Sequence, residues 1–228
     1  MNSEAPLITV VIPVYNHADF IAESIESVLA QEEQRLTVLV VDDGSTDDSA
    51  GIAARYPVRL LRKPNTGLNH TLNMAIAEVS TPFVAFNDAD DRWRPDKLRL
   101  QLAAFVADPA LDAVFCHALI FHTHDQNVPP GRSRILPALL RQAMLVRRDS
   151  LLHHGSFSET PETHEFLLWL GRAQDQGLCY RVLEDVLVDR RIHAGNRDRV
   201  HKLENRSRLL KGLKQLVDYR RERTQTLP

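Results

Sequence analysis

Cysteine is scarce, with Cys116 and Cys179 the only two in 228 residues. Neither has a Cys-x-x-Cys partner, and both stand in apolar, strand-like surroundings. A buried, reduced role is therefore expected over disulfide or zinc chemistry, as suits a cytoplasmic protein. Long apolar runs are missing too. Leu7 to Val14 is far shorter than the ~20 residues of a membrane span. The opening Met-Asn-Ser-Glu-Ala-Pro has no basic region, which argues against export. No Gly-x-Gly-x-x-Gly follows the first apolar run and no Gly-x-x-x-x-Gly-Lys-Ser/Thr occurs anywhere, which removes the main support for a dinucleotide oxidoreductase or a P-loop enzyme.

What is present describes a globular domain. The chain is 43% apolar and 25% charged, a makeup that supports a substantial core and excludes disorder. Its net charge of −2 is unevenly spread, because Arg199 to Arg223 holds nine Lys or Arg against three Asp or Glu. In that segment Leu203, Leu209, Leu210, Leu213, Leu216 and Val217 recur near helical spacing. We expect residues 1–198 to form one domain and 199–228 an amphipathic helix packed on it, with a solvated basic face. That face also suits peripheral membrane contact; nucleic acid is not expected.

Alternation of elements sets the fold class. Leu7 to Val14 reads as a strand covered on both faces and limited by Pro13. A helix follows, with Asp19 as its cap and Phe20, Ile21, Ile25, Val28 and Leu29 on one side. Leu36 to Val41 is a second buried strand, ending in Asp42-Asp43-Gly44-Ser45-Thr46-Asp47. A short helix, a strand at Val58 to Leu61, the turn Pro64-Asn65-Thr66-Gly67 and a helix carrying Leu68, Leu72 and Ile76 lead into a strand at Phe83. This order predicts an α/β domain with a mainly parallel sheet flanked by helices, which binds ligands beyond the carboxyl ends of its strands. Further on we expect a helix after Pro95, a strand from Ala113 to Phe121, and a loop from His122 to Pro137 in which His122 and His124 are solvated, the alternative being metal ligands at alternating spacing. A short strand near Met144 to Arg147, a helix from Thr163 to Gln176 and two strands around Tyr180 to Leu183 and Val186 to Ile192 complete the chain.

The chemistry concentrates where the Phe83 strand runs into Asn87-Asp88-Ala89-Asp90-Asp91. Three adjacent carboxylates repel one another unless a cation or solvent relieves them. Hard oxygen ligands favour magnesium or manganese over zinc, and such ions keep positions open for substrate phosphates. The spacing suggests a nucleotide-diphosphate site; the plainer alternative is an acidic loop that merely ends a strand.

Four motifs in register, Val10-Val11-Ile12-Pro13-Val14-Tyr15-Asn16, Val40-Val41-Asp42-Asp43-Gly44-Ser45-Thr46-Asp47, Pro64-Asn65-Thr66-Gly67 and Asp88-Ala89-Asp90-Asp91-Arg92-Trp93-Arg94-Pro95-Asp96-Lys97-Leu98, resemble family 2 glycosyltransferases of the GT-A fold, over about residues 7 to 196. The resemblance implies an inverting transferase (EC 2.4) that moves a sugar from a nucleotide-diphosphate donor to a hydroxyl acceptor with Mn2+ or Mg2+. It implies that Pro13, Val14, Tyr15, Asp42, Asp43 and Asn65 hold the nucleotide and that Asp88 and Asp90 engage ribose and a metal-bound diphosphate. Glu165 is the one carboxylate in register with the family's base, although the usual neighbouring aspartate is absent from Thr163-His164-Glu165-Phe166-Leu167-Leu168-Trp169. His193, in Arg191-Ile192-His193-Ala194-Gly195-Asn196, resembles a late histidine that approaches the metal; a structural or phosphate-contacting role is the alternative. Leu72 stands where relatives carry an arginine, so Lys63, Arg191 or Arg197 compensates or donor affinity is modest. Sugar, nucleotide, acceptor class (glycan, lipid, peptide or small molecule) and oligomeric state are not legible. The competing readings are a non-catalytic nucleotide-sugar-binding module and a nucleotidyltransferase. The loop Tyr15-Asn16-His17-Ala18-Asp19 lacks the glycine-rich basic character the latter needs.

Overall fold

Ile8–Val14 forms β1, and every one of its seven residues is buried. A strand this apolar needs cover on both faces and neighbours on both edges. The computed structural model describes residues 5–123, 133–158 and 165–194 together with Lys214. After β1 come α1 (Ile21–Leu29), β2 (Leu36–Asp42), α2 (Ser49–Ala53), β3 (Arg59–Arg62), α3 (Leu68–Ala77), β4 (Phe83–Phe86) and the two-residue β5 (Arg92–Trp93). The chain continues through α4 (Lys97–Ala107), β6 (Ala113–His122), β7 (Arg134–Ala138), a 3-10 turn at Arg141–Ala143, β8 (Leu145–Arg147), α5 (Arg148–His153), α6 (Glu165–Asp175) and β9 (Tyr180–Ile192).

One sheet runs β3-β2-β1-β4-β8-β6-β9-β5, with β7 paired on β6. Its first four strands are parallel, as the alternating elements predict. Beyond β4 the sheet is mixed, because β8 is antiparallel to both β4 and β6 whereas β6 and β9 are parallel. Successive residues of β1 serve opposite faces. Ile8, Val10, Ile12 and Val14 pack with Ile21, Ile25 and Val28 of α1 and with Leu98 and Phe105 of α4. Val11 instead faces Leu72 and Ile76 of α3 and Phe166, Trp169 and Leu170 of α6. Each fully buried aliphatic of this kind contributes roughly 1.5–3 kcal/mol relative to an exposed one.

Pro13 lies inside β1 rather than stopping it. Pairing of β1 with β4 ends at Val11↔Phe86, and the Asn87 amide donates to the Val11 carbonyl. The missing Pro13 N–H points to that same side, where β4 has already turned away, so no ladder bond is lost.

Several expected details shift. Asp19 does not cap α1: its N-cap is Phe20, and the chain enters through a turn in which the amides of Phe20 and Ile21 both donate to the His17 carbonyl. Of the expected 122–137 loop, residues 134–137 lie in β7, which pairs antiparallel with β6 from Cys116↔Ala138 to Ile120↔Arg134, while 124–132 lie outside the described residues; Pro137 is tolerated because β7 is an edge strand. The two late strands are one, β9. A bulge between the pairs Phe115↔Val182 and His117↔Val186 breaks its pattern. Cys116 is buried as expected, whereas Cys179 is exposed. No described helix is long and apolar enough to cross a membrane. Apart from Lys214, the expected helix over 199–228 lies outside the described residues, as do His124 and Arg197.

Candidate active site

The sheet order puts the carboxyl ends of β2, β1 and β4 side by side, and the chain reverses direction across the sheet between β1 and β4. In such sheets the crevice at the reversal is where ligands sit. Three loops meet there.

The first two are laced together. Asn16, with φ 53°, takes the left-handed conformation that asparagine tolerates. Its amide donates to Ser45 Oγ at 3.0 Å, and its Oδ1 accepts from the Thr46 amide at 2.8 Å. The His17 amide reaches Ser49 Oγ at 2.9 Å, and that of Ala18 reaches Asp47 Oδ2 at 2.9 Å. Burial works against ionising Asp47, but the Ser49 hydroxyl and the Ala18 and Ser49 amides outweigh it and hold its carboxyl below the ordinary range. Tyr15 stays 44% exposed at the mouth.

Asp42 and Asp43 at the end of β2 are both buried. Asp42 Oδ1 accepts from the Ser45 amide at 3.1 Å, and Arg62 Nε lies 3.5 Å from Oδ2. Asp43 accepts from the amides of Thr66 (2.9 Å) and Gly67 (3.0 Å) and pairs with Lys63, which also donates to Thr66 Oγ1. Asp43 therefore clamps the Pro64 to Gly67 turn against Gly44. That glycine is required: its φ is +75°, and a Cβ there would stand 2.7 Å from the Asn65 amide nitrogen. Asn65 is exposed on the same turn.

The end of β4 is built by distant parts of the chain. Antiparallel pairing of β5 with β9, Arg92↔Asp189 and Trp93↔Val188, carries Arg191 and His193 back alongside Asp91 and Asp90. His193 Nε2 lies 3.0 Å from Asp90 Oδ2, and Arg191 Nε donates to the Asp90 carbonyl at 2.9 Å while its guanidinium pairs with Glu23. The β4–β8 pairing brings Arg141 beside Asp88, where the two form an ion pair. Asp91 is turned inward, accepting from the Arg191 amide at 2.8 Å and Gln142 Nε2 at 3.1 Å. Burial raises its pKa well above the carboxylate range, with the charges of Asp90 and Asp88 adding to the effect. Burial also works against ionising Asp90, but the His193 hydrogen bond and the His17 and His193 charges outweigh it and hold its carboxyl down. One ligand atom each from His17, Asp90 and His193, or from Asp88, Asp90 and Asp91, can be chosen within 4.8 Å of one another, so among the described residues this end of β4 has the donors and spacing for a divalent cation.

The model of glycosyl transferase family 2 matches residues 9–160. The chain belongs to that family. It is 29% identical over 212 residues to an uncharacterized glycosyltransferase of Rickettsia prowazekii, covering 85% of this chain and 66% of that protein. Among solved structures it resembles S. aureus TarS in complex with UDP, with TM-score 0.67, 23% identity, and coverage of 86% of this chain and 64% of that one. It also resembles the mannosyltransferase PcManGT from Pyrobaculum calidifontis in complex with GDP-Man and Mn2+, with TM-score 0.66, 21% identity, and 85% and 59% coverage. This chain thus spans about two thirds of the length of such relatives. The structural likeness confirms the GT-A-like α/β fold expected from the family motifs.

Of the sequence-named site residues, Asp88, Asp90 and His193 converge. Tyr15, Asp42, Asp43 and Asn65 belong to the neighbouring loops, and Pro13 and Val14 are held within β1. Glu165 opens α6, and its side chain lies outside the described residues. Leu72 is buried in the core. Lys63 is committed to Asp43 and Arg191 to Glu23. Sequence reasoning missed His17, Arg141 and Gln142. Only the β4–β8 register could have signalled the last two, because it sets the residues just before β8 opposite those just after β4.

Proposed function

We propose that this family 2 domain transfers a sugar from a nucleoside-diphosphate donor to a hydroxyl acceptor, with inversion at the anomeric carbon and help from a divalent cation. The observation that carries this reading is the convergence of Asp88, Asp90, His17 and His193 at the chain reversal between β1 and β4. The relatives support the donor class, since TarS is seen with UDP-GlcNAc and PcManGT with GDP-Man. In this reading the domain works in the cytoplasm on a cytoplasmic donor.

In this reading Tyr15 and the 63–67 turn wall the nucleotide. A carboxylate offers about four acceptor positions. Asp43 has three filled by Thr66, Gly67 and Lys63, so it contributes mainly by fixing the wall and has one position for a base N–H or ribose hydroxyl. A bound cation would neutralise charge developing on the departing diphosphate. Asp90 and His193, with Asp88 beside them, would hold it, while Arg141 adds a fixed positive charge at the same end of the crevice. On the acceptor side, Glu165 takes the hydroxyl proton as the oxygen attacks the anomeric carbon. The bond to the diphosphate oxygen breaks with its electron pair, and a single displacement inverts the centre. Glu165 is the first residue of α6, where the helix N-terminus favours the ionised carboxylate a base must be. Buried Phe166 and Trp169, the latter donating from Nε1 to the Gly155 carbonyl at 3.0 Å, anchor that helix.

Donor hydrolysis by the parent protein with Mn2+, measured beside Asp90→Asn, tests the reading. Turnover of a UDP- or GDP-sugar that disappears in the variant supports it. Donor binding without any turnover, with or without acceptors, would make the domain a nucleotide-sugar-binding module.

A further inference from the structure

Ahead of Glu165 the chain passes through Gly155, Ser156, Phe157 and Ser158, and each of these four carbonyls accepts a hydrogen bond from a side chain. Trp169 Nε1 (3.0 Å) and Arg172 (3.2 Å) of α6 reach the first two, while Asn73 Nδ2 (2.9 Å) and Asn69 Nδ2 of α3 reach the last two. Asn73 Oδ1 also accepts from the Phe157 amide at 3.0 Å, so this side chain meets Phe157 as a strand partner would. We propose that Asn73 and Asn69 are positioning residues, which through this segment set where Glu165 stands relative to the bound donor. The proposal rests on the transferase reading above and on Glu165 as its base.

Gly155 and Ser156 are exposed, where water could satisfy their carbonyls without ordering any side chain. Holding them with Trp169 and Arg172 therefore fixes position rather than rescuing buried polar groups. Phe157 is the opposite case, 1% exposed, with its ring centroid 5.8 Å from that of Trp169, 6.3 Å from Phe166 and 6.0 Å from Phe86. Phe86 is the last residue of β4, directly ahead of Asn87 and Asp88. One side chain thus registers the segment against both α6 and the strand that carries the aspartates.

The other end of this brace is the nucleotide wall. Asp43 accepts from the Gly67 amide at 3.0 Å, and the Gly67 carbonyl accepts from the Thr71 amide at 3.1 Å and from Thr71 Oγ1 at 2.9 Å. The first turns of α3 are therefore bolted to the 63–67 turn. Asn69 and Asn73, four residues apart, share one face of that helix. A single short helix then fixes the donor wall on one side and the approach to α6 on the other. A base has to meet the attacking oxygen at the anomeric carbon of a donor held by that wall, and a misplacement of about 1 Å can cost about 10²-fold in rate.

The test is steady-state hydrolysis, with Mn2+, of the UDP- or GDP-sugar that the parent turns over, water standing in for the acceptor hydroxyl. Asn73→Ala should lower kcat about tenfold or more with donor KM within about twofold. Asn69→Ala, which leaves both Asn73 bonds in place, should lose less. In a Glu165→Gln background Asn73→Ala should cost nothing further, because a displaced amide has no proton transfer to lose. Thermal melts establish that each variant is folded, and Asn69→Ala carries the same cycle if Asn73→Ala is not. Equal fractional losses with and without Glu165, or a loss confined to donor KM, overturn the positioning role and leave the transferase reading intact. Near-normal turnover by Glu165→Gln overturns the base assignment and the proposal with it; no donor turnover by the parent sinks the transferase reading itself.

Discussion

Two strand ends, separated by β1 and so about 10 Å apart across the sheet, carry aspartate clusters that look alike in sequence and differ in construction. At the end of β2, Asp42 and Asp43 are satisfied mainly by neighbours within 24 residues, including the amides of Ser45, Thr66 and Gly67 and the side chains of Lys63 and Arg62. At the end of β4, Asp88, Asp90 and Asp91 meet Arg141, His193, Gln142 and Arg191, from 51 to 103 residues away. A carboxylate braced by local amides shapes a wall. One assembled from distant cations and imidazoles is poised to meet a ligand. Substitutions at the first end should therefore act largely through stability, and substitutions at the second through binding.

The largest effect is expected away from both ends. Glu165→Gln keeps size and removes the basic oxygen, so transfer should fall by roughly 10²–10⁴ while donor affinity persists, measured by steady-state turnover beside calorimetry. Near-normal turnover would detach α6 from the chemistry. At the braced end, Asp43→Ala leaves the Lys63 ammonium, 10% exposed, and two amides without their acceptor. It should lower the unfolding free energy by about 3 kcal/mol in urea titrations, whether or not donor is present. A stable variant that merely lost donor would erase the distinction between the two ends. Gly44→Ala should cost about 1–3 kcal/mol, because φ is +75° and the new Cβ meets backbone rather than a movable side chain.

The effect that is smallest per step, a slope seen only at alkaline pH, concerns the support behind the β4 end. Lys97 is wholly buried, its ammonium 3.8 Å from the Trp93 ring centroid and 2.9 Å from Gln101 Oε1. Burial drops its pKa to about 8. Below that pH the folded and unfolded chains both carry the proton; between about 8 and 10.5 only the unfolded chain does. Stability from this group therefore rises with pH in that window, by at most about 1.4 kcal/mol per unit. Comparing Lys97 with Lys97→Met in a Cys116→Ala background isolates the slope, since the Cys116 thiol, which burial pushes up to about 11, also feels the Lys97 charge. Parallel pH profiles for the two proteins would refute it.

The same contrast explains what was legible in the sequence. The parallel half could be read because each buried strand, helix and turn is a local pattern: Leu36–Asp42 and its Asp-Asp-Gly-Ser end announce themselves within ten residues. In the mixed half the strands themselves were legible near Ala113, Met144 and Tyr180, but their pairings were not, because β8 has three residues, β9 hides a bulge, and the register depends on contacts across the chain. Asp88 and Asp90 were visible as a motif, whereas Arg141 and Gln142 depend on the register of β8 against β4. His17 was passed over as an ordinary loop residue, since nothing local distinguishes it from a solvated histidine. His193 was visible only through family resemblance.

The central claim is that the β4 end binds a nucleotide sugar through a metal held at Asp90, and calorimetric titration of UDP- and GDP-sugars into the parent and Asp90→Asn, with and without Mn2+, tests it most directly. The account predicts that the parent binds one of these donors at least tenfold more tightly with Mn2+, and that Asp90→Asn loses this gain while melting within a few degrees of the parent. Equal donor affinity in the two proteins, or affinity indifferent to the metal, would contradict it.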